Sequence, residues 1–259
     1  MPQDYWQRQT NQPLFPELEW SRPETKAQAG KLLIIGGHGQ GFAAPAQAYQ
    51  MAEQAGIGSA RVLLPDALEK LVGHMLAAGE FAPSTPSGSF GRSSLDVFLD
   101  NAAWADGVLL AGELGHNSET AIVLETFVNK YHGQLTLTGD SLDYFLNNPA
   151  SILDRPDTTL IISLGQLQKL FKASRETSAI TSDIELFNLV ESLHDFSGRH
   201  AANLVVKHQQ TALVASAGQI STTPTGLDEN EWPNIAAKAS VWWLQNPSRS
   251  FEALTTSLV

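Results

Sequence analysis

Short, continuously apolar runs recur along the chain, each closed by glycine, proline or a polar turn. LLIIGG (32–37), ARVLLP (60–65), GVLLAG (107–112), QLTLTG (134–139), TLIIS (159–163) and NLVVK (203–207) have the length and branching of buried strands. Between them lie stretches of helical character. These are 44–55, with Pro45 tolerated in the first turn, then 66–78, 95–103, 118–131 capped by Asn117 or Ser118, 141–147 before Pro149, and 166–173. Ser182-x-x-Glu185 has the form of a capping box, opening a helix with Ile184, Phe187, Leu189, Val190 and Leu193 as its apolar positions. TALVASAGQIST predicts a hairpin turning at Ala217-Gly218. Helices over 233–245 and 248–258, divided by Asn246-Pro247, close the chain, whereas 79–94, dense in Ser, Pro and Gly, reads as a loop. Strands alternating with helices imply parallel βαβ units. The expected fold is a three-layer α/β/α sandwich with a mostly parallel central sheet and a late β-hairpin.

The first 30 residues break this pattern. They are polar, carry Pro2, Pro13, Pro16 and Pro23, and predict a surface arm docked through Leu14, Phe15 and Trp20. Residues 31–259 are then expected to form a single domain. The balance of 16 Lys+Arg against 27 Asp+Glu, a net charge of −11, argues against nucleic acid or an anionic membrane as a partner. The absence of cysteine removes disulfides, thiolate metal sites and thiol nucleophiles together. No apolar run approaches the ~18 residues of a membrane span. No charged segment followed by an apolar one opens the chain, so a cytoplasmic location is expected. H-E-x-x-H is missing and no His/carboxylate cluster has metal-ligand spacing, so no metal site is expected.

Ligands of open α/β sheets bind beyond the carboxyl ends of the strands. Those ends carry GGHGQGFAAP, AGELGHNSE, TGDS and SLGQ, four pliable turns on one edge. They nominate Gly37, Gly41, Ala44, Gly112, Gly115, Asp140 and Ser163 as a small-molecule pocket. The first turn is not G-x-G-x-x-G, and no GxxxxGK[ST] occurs. His38 and His116 sit in glycine turns and imidazole titrates near neutrality, but no partner identifies either as a base.

These segments, in order, resemble a known group. KAQAGKLLIIGG is similar to KGDxGxVLVIGG, GFAAP to GYxGAP, and ADGVLLAGELGHNSET to ADAVVIGPGLGxxEET; VVKHQQTALVASAGQI resembles VVLKGxxTxIxxxxGxI, and LQNPSRSFEA resembles LAQGxxPFEA. The chain thus resembles the ribokinase-like superfamily and, within it, the ADP-dependent NAD(P)H-hydrate dehydratases (the C-terminal domain of YjeF-type proteins). That resemblance implies ADP or ATP with Mg²⁺ as cofactor, contacted by Lys207 and Thr211 of the KGxxT-like segment and by Gly226 in the following loop. It also implies a homo-oligomer. Trp232, Trp242 and Trp243 lie near the C-terminus, and one of an adjacent pair on a helix is expected at the surface or a subunit contact.

The departures fall on the chemistry. The family's GTGD, whose Asp is the catalytic base and whose glycines cradle phosphate, aligns without gaps to Asn230-Glu231-Trp232-Pro233. Pro233 takes no proton and has no backbone N–H. TPHxGE aligns with 161–166, so its His becomes Ser163 and its Glu becomes Gln166. Glu113 is a departure within the GPGLG turn, and Thr138 replaces the first Asp of LDADAL, while Asp140 is kept. A small gap would instead bring Asp228 or Glu231 to the base position. The leading expectation is a divergent homologue that has lost or nearly lost the reaction while keeping a pocket for a small molecule or nucleotide. An active dehydratase or kinase with a rebuilt site is the alternative, and a protein-interaction or assembly role a third. An open crevice would point to binding; one filled by Trp232 would point to a dead site.

Overall fold

A computed structural model describes residues 4–73, 78–226 and 231–259 of the chain. In chain order, the first half contains β1 (Trp6–Arg8), α1 (Glu17–Trp20), β2 (Lys31–Gly36), α2 (Ala43–Gln54), β3 (Ser59–Pro65), α3 (Glu69–Val72), β4 (Gly79–Ala82), α4 (Ser94–Trp104), β5 (Gly107–Gly112) and α5 (Ser118–Lys130). The second half contains β6 (Gln134–Thr138), α6 (Ala150–Leu153), β7 (Thr158–Ile162), α7 (Leu164–Ala173), α8 (Leu186–Ser197), β8 (Asn203–His208), β9 (Thr211–Ser216), β10 (Gln219–Pro224), α9 (Trp232–Gln245) and α10 (Ser250–Thr256).

All ten strands join one sheet in the order β1-β10-β9-β8-β7-β6-β5-β2-β3-β4. Every neighbouring pair is parallel except β8 with β9 and β9 with β10, so β9 alone runs against the rest. The strands are apolar on both faces because helices cover both. Leu33 and Ile35 of β2 join Val108 and Leu110 of β5 on one side, under Phe98 of α4, Phe127 of α5 and Leu193 of α8. Leu32, Ile34, Leu109 and Ala111 face the other side, against Ala48 of α2, Trp243 of α9 and Leu254 of α10. The three-layer sandwich with its late hairpin is therefore present. The β9–β10 turn is built as its residues suggest, with Ala217 at φ 47° and Gly218 at φ 78°, the two positive angles a tight two-residue hairpin turn needs.

Several local expectations fail, each for a tertiary reason. Part of the stretch expected as a loop is β4, which pairs with Val62–Pro65 of β3; the free sheet edge recruits GEFA, which has no strand pattern of its own. The helix expected over 66–78 is a 3₁₀ turn at Asp66–Leu68 followed by the short α3, and 74–77 lie outside the described residues. Residues 141–147 do not form a helix. Ser141 Oγ donates to the Leu110 and Thr138 carbonyls, and only i→i+3 bonds such as Phe145 N to Leu142 O follow. The capping box at Ser182 does not form, because Glu185 is extended (φ −67°, ψ 145°) and α8 starts after it.

The N-terminal segment is more ordered than its composition predicts. β1 adds a parallel strand beside β10, and the buried Gln9 amide donates to Thr255 O (2.7 Å) and Thr223 Oγ1 (3.1 Å). Phe15 packs edge-on against Phe251, and Leu18 is buried. Trp20, expected to dock, is instead 89 % exposed. The Trp242–Trp243 pair is corrected too: both are buried, since α9 is enclosed by the sheet beneath and by α2, α10 and the arm above. Arg22 of the arm stacks over the Trp242 ring at 4.7 Å. The pair therefore offers no surface for a subunit contact. No helix among the described residues is long and apolar enough to cross a membrane.

Candidate functional site

The carboxyl ends of β2, β5 and β6 meet the start of α2 and the start of α9, and an open cleft of about 550 Å³ lies between them. Two features of the chain make this edge possible. A side chain at Gly36 would bring a Cβ to 2.6 Å from the Gly112 carbonyl oxygen, so the last residue of β2 has to be glycine. Beyond β5 the backbone turns through Glu113 at φ 56°, a left-handed angle unusual for a residue with a side chain.

That turn aims Glu113 at α2. Its Oε2 accepts the Ala44 backbone N–H at 2.9 Å, so a carboxylate already sits where the helix N-terminus would attract an anion. The Glu113 carbonyl meets His38 Nδ1 at 3.0 Å, which gives His38 a structural role in bridging the first and second turns. Asp140, from the turn after β6, does the same one loop along. Its Oδ2 accepts N–H bonds from Leu114 (3.0 Å) and Gly115 (3.2 Å). Charge-assisted bonds of this kind contribute about 1.5–3 kcal/mol each. The Ala44, Leu114 and Gly115 amides of this edge are thus satisfied from within the chain.

Of the residues expected in a pocket, Ala44, Gly112 and Asp140 line the cleft, as do Pro233 and Trp232. Gly37 and Gly41 form the neighbouring turn, closed by His38 N to Gly41 O at 2.8 Å, and Gly115 packs behind it against His38 and Ser89. Ser163 is one loop away. It caps α7 in a capping box with Gln166, whose amide reaches Gly139 O at 2.9 Å, and it lines an adjoining cleft of about 470 Å³ that shares Gly139 and Trp232 with the first. Trp232 forms a wall between the two without closing either. Lys169, in the second of these, lies 3.9 Å from Asp143.

The residues expected to contact a nucleotide lie at one end of the β8–β9–β10 meander, where Pro224 pairs with Thr211 and Thr225, next to Gly226, donates its N–H to the Gln210 carbonyl at 2.8 Å. Lys207 and Thr211 lie at the β8–β9 turn, in the ladder opposite Ala212 and His208. Gly226 also lines a cleft of about 520 Å³ on the far side of α9, with Glu231, Lys238 and Val259. Asp228 lies outside the described residues. Lys238 was not foreseen, and its signal was a lone basic residue in the otherwise apolar run IAAKASVWW. Its ammonium donates to the Val259 carbonyl, and burial, with a smaller push from Arg22 against an opposing pull from Glu19, holds it below the usual lysine range.

At the floor of the first cleft Thr138 is buried. Its hydroxyl faces the Ser141 N–H in the manner of a capping box, but Oγ1 completes no hydrogen bond of full geometry among the described residues. An orphan hydroxyl of this kind is uncommon in a folded interior. Neither phosphates nor magnesium fit the cleft as built. Its described lining contains no Lys or Arg, Pro233 in the first turn of α9 lacks an N–H, and no group of three His, Asp or Glu among the described residues could hold a metal.

The architecture has solved counterparts. A ribokinase-like superfamily protein from Enterococcus faecalis V583 matches with a TM-score of 0.73 at 14 % identity, over 98 % of this chain and 86 % of that one. The fold is ribokinase-like. The ADP/ATP-dependent NAD(P)H-hydrate dehydratase of Bacillus subtilis, co-crystallized with ATP/Mg²⁺, matches with a TM-score of 0.60 at 12 % identity over 95 % of this chain and 86 % of that one. Phosphomethylpyrimidine kinase from Clostridium difficile 630 matches with a TM-score of 0.52 at 8 % identity over 88 % and 97 %. No family model and no curated protein matches the sequence. The ribokinase-like frame is thus shared with a dehydratase and with kinases at identities that speak for the fold alone.

Proposed function

We propose that the protein is a divergent relative of the NAD(P)H-hydrate dehydratases that binds a small molecule in the first cleft and has lost the ADP- or ATP-driven reaction. One observation carries this reading. The backbone amides at the start of α2 and in the turn after β5, available to a phosphate in a glycine-lined edge, are already bonded to Glu113 and Asp140. An incoming phosphate would meet two carboxylates instead of donors. Like charges near 4 Å repel by about 4 kcal/mol each at a protein surface. Proline at the position of the family's catalytic aspartate agrees with this, since phosphoryl transfer depends on positioning and charge neutralisation that this lining lacks. The open cleft, walled but not filled by Trp232, supports retained binding.

Following NADH absorbance after purified protein is mixed with hydrated NADH and ADP or ATP tests the lost reaction. No turnover above the uncatalysed background is expected, and turnover with ordinary enzymatic rate constants would overturn the reading. A second reading, nucleotide binding without that reaction, has Gly226 and Lys238 of the far cleft in its favour. Calorimetric titration with ADP, ATP and AMP decides it: heat that disappears in Lys238→Ala supports it, and silence from all three removes it.

A further inference from the structure

We infer that the first cleft is selective for small organic cations, an ammonium group being held by Glu113 and Asp140 against the face of Trp232. This rests on the reading of that cleft as a binding site and adds the class of ligand. Three observations converge. The first is the charge of the lining: two carboxylates and, among the described residues, no basic side chain. The second is the state of those carboxylates. Glu113 spends Oε2 on Ala44 N, which leaves Oε1 to accept from a ligand; it lies on the side of Gly41, 3.6 Å from where a Cβ there would sit. Asp140 is fixed by two amides and cannot swing away to meet solvent. The third is the orphan Thr138 hydroxyl at the floor, which a ligand N–H or O–H would satisfy.

The indole of Trp232 completes the arrangement. Aromatic faces attract cations, most strongly when the pair is shielded from water, and this ring forms the wall shared by both adjoining clefts. Around such a lining a neutral sugar finds acceptors but too few donors, and an anion finds repulsion. A protonated amine with hydroxyl or further amine donors finds partners on every side.

Calorimetry with glucosamine, putrescine, glucose and glucose 6-phosphate reads the charge preference directly. At least one of the two ammonium probes should bind with a dissociation constant of about 1 mM or tighter, and about tenfold or more tighter than glucose. The phosphate ester should give no heat. Added salt should weaken the cation. Glu113→Gln keeps an acceptor for Ala44 N and so should keep the fold; it is expected to weaken the cation about tenfold. Thr138→Val should leave the melting temperature unchanged or higher while weakening binding severalfold, a combination that a purely structural threonine would not produce. Silence from both amines, tighter binding of glucose or its phosphate, or full affinity retained in both variants would overturn the inference. Its failure is separable from that of the functional reading: turnover of hydrated NADH removes the latter, whatever the amines do.

Discussion

The two clefts on either side of α9 are of nearly the same size, about 550 and 520 Å³, but are built on opposite plans. The first is a clasp: turns from β2, β5 and β6 are drawn together by Asp140 and Glu113, and its glycines are packed against backbone. Gly36 has Gly112 O at 2.6 Å from a would-be Cβ. The second is loose. A Cβ at Gly226 would meet nothing within 4 Å, and the charged side chains of its described lining are a half-buried amine, Lys238, and the Glu231 carboxylate. A rigid site whose own carboxylates hold the strand ends together cannot easily also receive an anion. A site framed by a glycine loop, with a lysine to balance the Glu231 carboxylate, leaves more room for one. The difference between the clefts separates what this fold keeps for its own cohesion from what it leaves open.

The largest effect should come from tightening the clasp. Gly36→Ala is expected to cost about 3 kcal/mol or more, since overpacking against backbone cannot relax as a side chain does; urea unfolding measures it, and a loss under about 1 kcal/mol would show the edge to be pliant. Next, Asp140→Ala removes two charge-assisted amide bonds and should cost about 3 kcal/mol, the low end for two such bonds because water in the open cleft replaces part of each, with faster amide exchange at Leu114 and Gly115. Asp140→Asn, which keeps an acceptor, should recover part of it.

Lys238 should give a smaller effect, visible only as a pH dependence. Its folded value lies below the unfolded 10.5, so the unfolded chain holds the proton more tightly. Stability contributed by this group therefore rises as pH increases through the folded value towards 10.5 and is lowest below that window. Lys238→Met should abolish the rise in alkaline thermal melts; an unchanged slope would mean that the amine is solvated. The smallest effect is expected from Gly226→Ala, within about 0.5 kcal/mol. A large loss there would mean that the second cleft is as tightly built as the first, and the comparison would fail.

Much of this frame was readable in the residue pattern. β5 was expected at 107–112 and is Gly107–Gly112, and α5 was expected from 118 with Asn117 or Ser118 as its cap; Asn117 is the cap, its side chain accepting the Glu119 N–H at 2.8 Å. Such elements depend on neighbours in sequence: buried strands need apolar runs, and caps need a polar group in the next turn. β4 and β1 were not readable, because short segments take strand geometry only when a finished edge offers hydrogen bonds. Ser182 misled because a capping box is a local pattern that Glu185, held extended, did not obey.

The same division runs through the site. The order of glycine turns nominated, without any structure, one edge of the sheet as the place for a ligand, since parallel strands joined by helices all end at the same edge. Aligned without gaps, the resemblance also placed Pro233 at the position of the family's base, with Asp228 or Glu231 there if a small gap is allowed. What Glu113 does was beyond sequence. Read along the chain, it was one departure within a glycine turn; in the fold, a left-handed turn points it at a helix start 69 residues away, where it accepts the Ala44 N–H. A carboxylate's role depends on which donors lie within about 3 Å of it, and that distance is set by strand order and turn geometry, which the tertiary structure alone decides.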